Sequence, residues 1–338
     1  MNAFRPLILT LGDPAGVGPE ITVKAWSALR DNPKLSFTLV GPYDLMARKL
    51  NEMGQPAPRI IETPEMARSM FGTALPLLPM KLNQDVEDGR PTPVNGTVVT
   101  GSIERAVKHC LAGEAEGIVT NPISKDILYQ ANFKYPGHTE YLGMLTQDHQ
   151  APYAHGPLMM LANSELRVAL VTVHQSVEQA ALSVTEDKII RHARILHGAL
   201  IHDLGIDNPR IALAALNPHA GENGAMGDTE ITIINPAAAK LRAEGIDISD
   251  AMPPDTMFHK EARAKYDAAL CMYHDQGLIP VKTIDFHGTV NVTMGLPIVR
   301  TSPDHGTAFD IAGQNIARPD SLIAAIKLAR QIADTRNG

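Results

Sequence analysis

The stretch Leu7-Ile-Leu-Thr-Leu-Gly-Asp-Pro-Ala-Gly-Val-Gly-Pro-Glu20 joins a short apolar strand to a glycine-bearing loop and the start of a helix. Pro19 suits the first helical turn, where the N–H that proline lacks would have no partner. Similar units of strand, loop and amphipathic helix recur along the chain, and this alternation is typical of a mostly parallel sheet covered by helices. The sequence therefore predicts an α/β fold.

The length and charge of the chain narrow its class. At 338 residues it is long enough for two domains, because single cores stop growing at about 250–300 residues. The formal net charge is −7 and the basic residues are scattered, so we expect no nucleic acid partner. No segment approaches the roughly 20 apolar residues of a membrane span, and the N-terminus lacks a signal-peptide pattern. We therefore expect a soluble, cytoplasmic protein with no membrane partner.

Capping residues and prolines mark the limits of several elements. Thr185 can cap one helix and Asp320 can cap the last one. Thr229 begins another helical stretch, but Pro236 inside it should kink or break the helix. Residues 76–93 hold several prolines and charges, which favours a surface excursion.

Three predicted strands each end near a histidine. Arg167-Val-Ala-Leu-Val-Thr-Val173 leads to His174, Arg210-Ile-Ala-Leu-Ala-Ala-Leu216 leads to His219, and Asp267-Ala-Ala-Leu-Cys-Met-Tyr273 leads to His274. Ligands of open α/β sheets bind beyond the carboxyl ends of strands, so these imidazoles could converge on one divalent cation and leave positions open for substrate. They could also be ordinary histidines, because the chain has 13 and these three lack zinc-finger spacing.

Polar and basic residues near these segments could hold an anionic substrate. They are Gly137-His-Thr-Glu140, Lys282, Asn291 and Arg300. Arginine can grip a phosphate through two parallel N–H bonds, and lysine acts as a compact point charge. The same side chains could equally form surface ion pairs, so this pattern leaves both interpretations open.

Longer strings occur in order over nearly the whole chain. The first four are Gly12-Asp-Pro-Ala-Gly-Val-Gly-Pro-Glu20, Val119-Thr-Asn-Pro-Ile-Ser-Lys125, Gly137-His-Thr-Glu140 and Asn217-Pro-His-Ala-Gly-Glu222. The others are Pro254-Asp-Thr256, Met272-Tyr-His-Asp-Gln-Gly277, Val290-Asn-Val-Thr-Met-Gly-Leu-Pro297 and Arg300-Thr-Ser-Pro-Asp-His-Gly-Thr-Ala308. Together they resemble the 4-hydroxythreonine-4-phosphate dehydrogenase family of pyridoxine phosphate biosynthesis.

The resemblance implies a fold and an assembly. The expected fold has two domains, like that of isocitrate and isopropylmalate dehydrogenases, with the active site between domains at a homodimer interface. Residues 1–135 with 288–338 would form a first domain that carries the cofactor loop. Residues 136–287 would form a second domain with the metal ligands and the dimer interface.

The resemblance also implies roles for single residues. His174, His219 and His274 match the family's metal ligands, one arriving from the partner subunit, for one divalent zinc, magnesium or cobalt ion per subunit. The matched substrate contacts are His138, Thr139, Lys282, Asn291 and Arg300. Asp255 and Asp275 lie in the metal-side strings and could act as catalytic base or orient the metal ligands.

The expected cofactor is NAD or NADP. His305-Gly-Thr-Ala-Phe-Asp-Ile-Ala-Gly313 is similar to the adenine-side loop of isocitrate and isopropylmalate dehydrogenases, so His305, Gly306 and Asp310 would contact the dinucleotide. Those enzymes bind it without a Rossmann fingerprint. This explains why residues 12–18 match neither G-x-G-x-x-G nor the Walker A sequence, and these residues could form a tight structural turn.

The expected reaction is oxidation of 4-phosphooxy-L-threonine to 2-amino-3-oxo-4-phosphooxybutanoate, which loses carbon dioxide to give 3-amino-2-oxopropyl phosphate. After His174 the family usually has any residue, proline and leucine, whereas this chain has Gln175-Ser176-Val177. Loops beside a site can accommodate a changed substrate, so D-threonate or D-erythronate 4-phosphate is an alternative. A phosphate acyltransferase, which can share this fold without a histidine metal site, is a more distant alternative.

Overall fold

The short apolar segments of the sequence form strands that fall into two units. The computed structural model describes residues 4–338. The first unit comprises the chain up to His149 together with Pro297–Asn337, and the second comprises Gln150–Leu296. Compared with the domain limits expected from the sequence, residues 136–149 belong to the first unit and residues 288–296 to the second.

The first unit consists of parallel strands with helices between them. Its strands are β1 (Leu7–Thr10), β2 (Phe37–Pro42), β3 (Arg59–Ile60), β4 (Pro76–Met80), β5 (Ile118–Val119) and β12 (Arg300–Pro303). They are ordered β3-β4-β2-β1-β5-β12, and all neighbouring pairs are parallel. Its helices are α1 (Gly18–Leu29), α2 (Tyr43–Glu52), α3 (Ala67–Met70), α4 (Gly96–Leu111), α5 (Lys125–Gln130), α6 (His138–Leu145) and α13 (Asp320–Asn337). Short 3₁₀ helices cover Pro33–Leu35, Pro64–Met66 and Pro93–Asn95.

The second unit has both parallel and antiparallel strands. Its strands are β6 (Leu158–Ala162), β7 (Arg167–Leu170), β8 (Arg210–Ala214), β9 (Asp247–Met252), β10 (Ala268–Cys271) and β11 (Val290–Met294). Their order is β11-β6-β7-β10-β8-β9; β6 is antiparallel to both of its neighbours, and the remaining pairs are parallel. Its helices are α7 (Val177–Ser183), α8 (Glu186–His202), α9 (Asn235–Ala243), α10 (Pro254–Met257), α11 (Lys260–Arg263) and α12 (His274–Ile284), with a 3₁₀ turn at Pro218–Gly221 and a π-helix at Glu230–Ile234. The predicted α/β fold with mostly parallel strands is confirmed.

Most of the predicted helix limits are confirmed. Thr185 caps α8, since its hydroxyl oxygen accepts a hydrogen bond from the Lys188 N–H at 3.3 Å. Asp320 is the first residue of α13. Pro236 lies in the first turn of α9, directly after the π-helix, so the helical stretch changes type where the proline predicts a break. Among the helices of residues 4–338, none has both the length and the apolar character that a membrane crossing requires.

The prediction of a surface excursion is wrong for the first residues of the 76–93 segment. These residues form β4, in which Leu77 and Leu78 are fully buried and pair with Leu39 and Val40 of β2. Pro76 is compatible with this placement because proline is tolerated as the first residue of a strand. Only the residues after β4 leave the sheet.

Aromatic packing fixes the position of α1. The fully buried Trp26 donates a hydrogen bond from Nε1 to the Phe71 carbonyl at 2.8 Å. Phe71 also packs edge-on against Phe37 of β2, with ring centres 5.0 Å apart. Burying aromatic side chains of this size contributes several kcal/mol each, roughly 3–5 kcal/mol by truncation to alanine. These contacts hold the C-terminal half of α1 against the segment that carries Phe71.

Candidate active site

The three predicted histidines follow three neighbouring strands of the second unit. The parallel strands β7, β10 and β8 lie side by side in that order. His174 follows β7, His274 begins α12 shortly after β10, and His219 lies in the Pro218–Gly221 turn after β8. Since parallel strands end at a common edge, the three histidines lie along the carboxyl edge of this sheet, where α/β enzymes bind ligands.

Two buried polar side chains hold the ends of these strands together. The Thr172 hydroxyl donates to the Met272 carbonyl at 2.7 Å. Gln276 accepts a hydrogen bond from the Met272 N–H and donates to the Ala215 carbonyl, both at 2.6 Å. These bonds continue beyond the regular pairing of the strands, so the loops that carry the histidines begin from fixed points.

His174 and His274 lie close together. Their ring centres are 5.8 Å apart and the rings are inclined by 43°. Both line a pocket of about 170 Å³, whose other lining residues are Val173, Gln175, Val177, Ala180, Tyr273 and Asp275. The Nδ1 atom of His274 is 2.7 Å from Oδ1 of Asp275. A carboxylate at this position fixes the ring and leaves Nε2 as the ligand atom, which is the usual arrangement of metal-binding histidines.

His219 lies in a strained turn. Its φ is +51° and that of Ala220 is +53°, in a region that costs on the order of 1–3 kcal/mol for a residue with a side chain. Glu230 holds the start of the turn, because its buried Oε1 accepts hydrogen bonds from the N–H groups of Leu216 and Asn217 at 2.9 and 2.8 Å. Strain that is maintained by a buried anchor indicates a functional requirement for this loop shape.

The predicted metal ligands are brought together only in part. No group of three or more His, Cys, Asp or Glu side chains within residues 4–338 is arranged to hold a metal ion. His174 and His274 nevertheless fit a divalent cation as a pair of neutral nitrogen ligands. His219 is not part of a group of three such side chains within residues 4–338, so its role as a third ligand stays a prediction.

The first unit contains a separate cluster of polar residues around Arg300. This arginine is 3% exposed, and its Nη2 donates to the Thr120 hydroxyl at 2.8 Å. Burial lowers the pKa of Arg300 to about 10, although the nearby Glu140 acts in the opposite direction. The guanidinium therefore remains charged at neutral pH.

His138, the first residue of α6, faces this charge as a neutral ring. Burial, together with the positive charges of Arg300 and Lys125, lowers the pKa of His138 well below 6.5. Its Nε2 is buried and has no hydrogen-bond partner within the described part of the chain. Leaving such a group unpaired costs about 1–3 kcal/mol, so the ring is placed to meet a ligand atom.

Lys125 is a member of this cluster that the sequence analysis did not single out. A side chain built on Gly137 would come within 3.3 Å of Lys125 Cε and 3.5 Å of Glu140 Oε2, so both side chains lie against the backbone just before His138. Lys125 is the last residue of the string that follows β5, and its position at a strand-to-helix loop was the available signal. Two cations, one carboxylate and a neutral imidazole leave an excess positive charge, which suits an anion.

The other predicted substrate contacts are distributed over both units. Thr139 is the second residue of α6 in the first unit. In the second unit, Lys282 lies in the last turn of α12 and Asn291 lies on β11. All three are half-buried. The structure thus brings His138 and Arg300 together, while contacts of Thr139, Lys282 and Asn291 with a substrate stay predictions.

The three predicted carboxylates have different surroundings. Asp275 contacts His274 as described, which suits a residue that orients a metal ligand. Asp255 is exposed in the first turn of α10, and α10 packs against the turn that carries His219. Asp310 is exposed in the predicted cofactor loop. Asp275 is therefore in direct contact with one of the predicted metal ligands.

The predicted cofactor loop packs against the glycine-bearing loop. The Thr307 carbonyl accepts a hydrogen bond from the Val17 N–H at 2.9 Å, and a side chain built on Gly16 would come within 2.8 Å of the same oxygen. Apart from its own chain neighbours, no atom of residues 4–338 lies within 4 Å of the point where a Gly306 side chain would begin, so a ligand can approach the backbone there. The Nε2 atom of His305 is buried without a hydrogen-bond partner among residues 4–338. An open backbone and an unsatisfied imidazole nitrogen fit a polar ligand such as a dinucleotide.

The fold and these clusters define an α/β enzyme that carries ligand-binding groups at the carboxyl ends of parallel strands. The family model described as pyridoxal phosphate biosynthetic protein PdxA matches residues 34–329. The chain belongs to this family. It is 51% identical over 339 residues to the 4-hydroxythreonine-4-phosphate dehydrogenase of Maricaulis maris, with 99% of this chain and 100% of that protein covered.

A solved structure with the same name as this relative is also similar to the chain. The 4-hydroxythreonine-4-phosphate dehydrogenase of Klebsiella pneumoniae is 37% identical with a TM-score of 0.84, covering 97% of this chain and 99% of that chain. A terephthalate 1,2-cis-dihydrodiol dehydrogenase of Burkholderia xenovorans is more distant, with 27% identity, a TM-score of 0.65 and coverage of 97% and 98%. The predicted family is confirmed, and with it the predicted class of activity, an oxidoreductase of pyridoxal phosphate biosynthesis.

Proposed function

We propose that the protein oxidises 4-phosphooxy-L-threonine with NAD or NADP. The product, 2-amino-3-oxo-4-phosphooxybutanoate, then loses carbon dioxide to give 3-amino-2-oxopropyl phosphate. Family membership and the names of close relatives support this reaction. The observation that carries it is the His174–His274 pair, oriented by Asp275 at the carboxyl edge of the sheet.

The cluster in the first unit would bind the phosphate of the substrate. Arg300 and Lys125 supply positive charge, and the neutral ring of His138 can donate a hydrogen bond from Nε2. Hydrogen bonds from a charged donor to a phosphate oxygen are roughly twice as strong as hydrogen bonds between neutral groups. Thr139, Lys282 and Asn291 would provide the remaining contacts.

His174, His219 and His274 would hold one divalent zinc, magnesium or cobalt ion per subunit, one histidine arriving from the partner. A cation bound there would supply a Lewis acid that lowers the pKa of the substrate hydroxyl toward neutrality. The chain's own part is to fix the ligand geometry: Asp275 orients His274, and Glu230 maintains the turn of His219. Asp255 is a candidate for the base that takes the proton.

We also propose that the protein is a homodimer and that it works in the cytoplasm. The second unit exposes large apolar side chains that a monomer would leave in water, among them Val177, Leu182, Ile279 and Phe286, each at least 62% exposed. Exposed apolar groups of this kind often mark subunit interfaces. They support a partner subunit that covers the second unit.

A second candidate function is oxidation of D-threonate or D-erythronate 4-phosphate. The observation that favours it is the loop after His174, where the chain departs from the family pattern. Ser176 caps α7 by accepting a hydrogen bond from the Gln179 N–H at 3.2 Å, and Gln175 accepts one from the Ser183 hydroxyl at 2.7 Å. Gln175 and Val177 line the pocket of the two histidines, so this loop could select a different substrate.

The test is NADH or NADPH formation by purified, metal-reconstituted protein with each of the three phosphorylated acids. We expect metal-dependent turnover of 4-phosphooxy-L-threonine that is lost in His219→Ala and retained in His259→Ala, an exposed histidine outside the site. Preference for either sugar acid phosphate would transfer the assignment to the second candidate. Metal-independent acyl transfer, without oxidation of any of the three compounds, would overturn both.

A further inference from the structure

The first unit contains a buried lysine that the proposed reaction does not use. Lys49 of α2 has a side chain that is only 3% exposed. Its ammonium group lies 2.5 Å from Oδ2 of Asp88 and 3.0 Å from Oε2 of Glu52. Lysine is almost never buried unless it is paired, and removing one partner of a buried pair is costly because the other charge remains. The position of Asp88 is therefore tied to that of Lys49.

The opposite side of Asp88 contacts the predicted cofactor loop. A Cβ atom built on Gly313 would come within 2.5 Å of Asp88 Oδ2 and 2.8 Å of Asp88 Cβ. Gly313 also has a φ of +77°, which a residue with a side chain would rarely adopt. The carboxylate thus lies directly against the backbone at the end of this loop.

The residue after Asp88 connects the same segment to both neighbouring loops. A Cβ atom on Gly89 would come within 2.7 Å of the Phe309 carbonyl oxygen, so the two backbones are in close contact. The Gly89 N–H donates a hydrogen bond to the Ala15 carbonyl at 2.8 Å. We call residues 86–89 the strap, because they contact the glycine-bearing loop and the cofactor loop at once.

The strap contacts the cofactor loop itself, whereas the residues that follow this loop have different anchors. Farther along the chain, Lys24 donates to the carbonyls of Asn315 and Ala317 at 2.9 and 2.8 Å, and Glu20 accepts a hydrogen bond from the Ala317 N–H. Residues 309–313 have no regular helix or strand to hold them. Local turn hydrogen bonds, such as that from the Ile311 N–H to the Ala308 carbonyl at 3.2 Å, shape these residues, and the strap packs against them.

We propose that Lys49 and Asp88 are positioning residues for the dinucleotide, holding the strap so that residues 305–313 keep the shape that binds NAD or NADP. The inference rests on the proposed function, since it takes these residues as the cofactor loop. It also gives a role to the glycine-bearing loop, which supports the cofactor loop from the other side through Val17 and Thr307. Neither Lys49 nor Asp88 needs to touch the substrate.

The test compares variants of the ion pair in the full-length, metal-reconstituted enzyme. Lys49→Met removes the charge and keeps the length of the side chain, Asp88→Asn keeps the shape of the acid, and Lys49→Arg keeps the charge. Arg90→Met is the matched control, because Arg90 follows the strap directly and its ion pair with Glu87 of the strap is exposed to solvent, unlike that of Lys49. The measurements are the dissociation constant for NAD and for NADP by calorimetry, KM for the dinucleotide, KM for the substrate, kcat and the melting temperature.

We expect Lys49→Met and Asp88→Asn to raise the dissociation constant and KM of the dinucleotide by about tenfold, because small displacements of binding groups have effects of this size or larger. The substrate KM and kcat at saturating dinucleotide should change less than about twofold. Lys49→Arg should recover most of the dinucleotide affinity, and Arg90→Met should match the wild type.

The outcomes separate this inference from the proposed function. The inference alone would be overturned if the wild-type enzyme is active and both Lys49→Met and Asp88→Asn bind the dinucleotide as tightly as the wild type. This holds even if both variants melt at a lower temperature. Equal losses in every kinetic constant would also overturn it, since they would indicate general damage. A wild-type protein that binds neither dinucleotide would overturn the proposed function and the inference together.

Discussion

At the scale of single residues, the charges around His138 determine what this site can bind. Its pKa is held well below 6.5 by burial, by Arg300 and by Lys125, so the ring is neutral when the two cations are charged. In the unfolded chain the same ring takes up a proton near pH 6.5. The unfolded state therefore binds more protons than the folded state below that pH, and His138 makes folding less favourable as the pH falls from 6.5 toward the lower folded pKa.

Lys125 provides the first prediction at this scale. Lys125→Met should raise the substrate KM by about tenfold or more with little change in kcat, because a charge-assisted hydrogen bond contributes about 1.5–3 kcal/mol. It should also raise the pKa of His138, since one of the charges that lower it is gone. Steady-state kinetics and NMR titration of the His138 ring would measure the two effects.

Two variants give this prediction its controls. Lys125→Arg keeps the charge and should retain most of the affinity. Lys134→Met removes an exposed lysine from the loop before α6 and should leave both the substrate KM and the pKa of His138 unchanged. A Lys125→Met variant with the wild-type KM would show that the lysine does not contact the anion.

At the scale of elements, local sequence signals determined the helix limits, while distant polar contacts determined the loops. Thr185 acts within one turn of its own helix, and Asp320 begins its own helix, so both limits could be predicted from neighbouring residues. Glu230 and Gln276 act on backbone groups 13 to 61 residues away in the sequence. Nothing in the local pattern distinguishes such a buried anchor from a surface polar residue.

The order of strands explains why the histidine site could be predicted only in part. That a histidine follows each of these strands could be predicted, because each strand is a short apolar segment that a histidine-bearing polar segment follows in the sequence. Along the chain His174 is followed by His219 and then His274, but the strands are ordered β7-β10-β8 in the sheet. His274 is therefore the neighbour of His174, and the sequence alone contains no signal for this exchange. The positive φ of His219 was equally unpredictable, because glycine would be the expected residue there.

Glu230 gives the prediction at this scale. Glu230→Gln replaces a carboxylate that receives three hydrogen bonds, two from backbone N–H groups and one from the Asn217 side chain at 3.0 Å. The amide cannot accept all of them, so we expect the free energy of unfolding to fall by about 1–3 kcal/mol. Because the strained turn of His219 would relax, the affinity for the metal should fall by about 10–100-fold. Chemical denaturation and competition with a metal chelator would measure the two quantities.

The matched control for this prediction is Glu222→Gln. Glu222 is exposed, lies in the same loop three residues after His219, and has a positive φ. Its substitution changes the same charge without removing the buried anchor. If Glu222→Gln and Glu230→Gln reduced metal affinity equally, the loss would come from the net charge near the site and not from the shape of the turn.

At the scale of the whole molecule, the distribution of ligands between chains is the main question. The second unit carries all three predicted metal ligands, yet no three side chains within residues 4–338 form a metal-binding group. The proximity of His174 and His274 within one chain shows that two imidazoles are already adjacent before any partner binds. A symmetric dimer that exchanges one histidine per site would complete both sites at once, because the two sites are related by the same axis.

This arrangement predicts complementation between inactive variants. His174→Ala, His219→Ala and His274→Ala should each abolish metal-dependent turnover as homodimers. Two variants can be co-expressed with different tags. If the two mutated histidines reach a metal site from different chains, one site of each heterodimer contains only intact histidines. Random pairing makes about half of the dimers heterodimers with one active site of two, so the mixture should reach about a quarter of wild-type activity.

The three pairwise mixtures together identify which histidine crosses to the partner. If the two mutated histidines reach a site from the same chain, each site of the heterodimer lacks one ligand and neither site is intact. If one of the two is the exchanged histidine, both defects fall in one site and the other site is intact. The exchanged histidine is therefore the one whose variant restores activity with each of the other two, while those two do not restore activity with each other. Purified heterodimers, isolated through both tags, would show this difference directly as metal content per site, without relying on turnover. If no mixture differed from the sum of its parent homodimers, each site would draw all its histidines from one chain, and the shared-site proposal would be wrong.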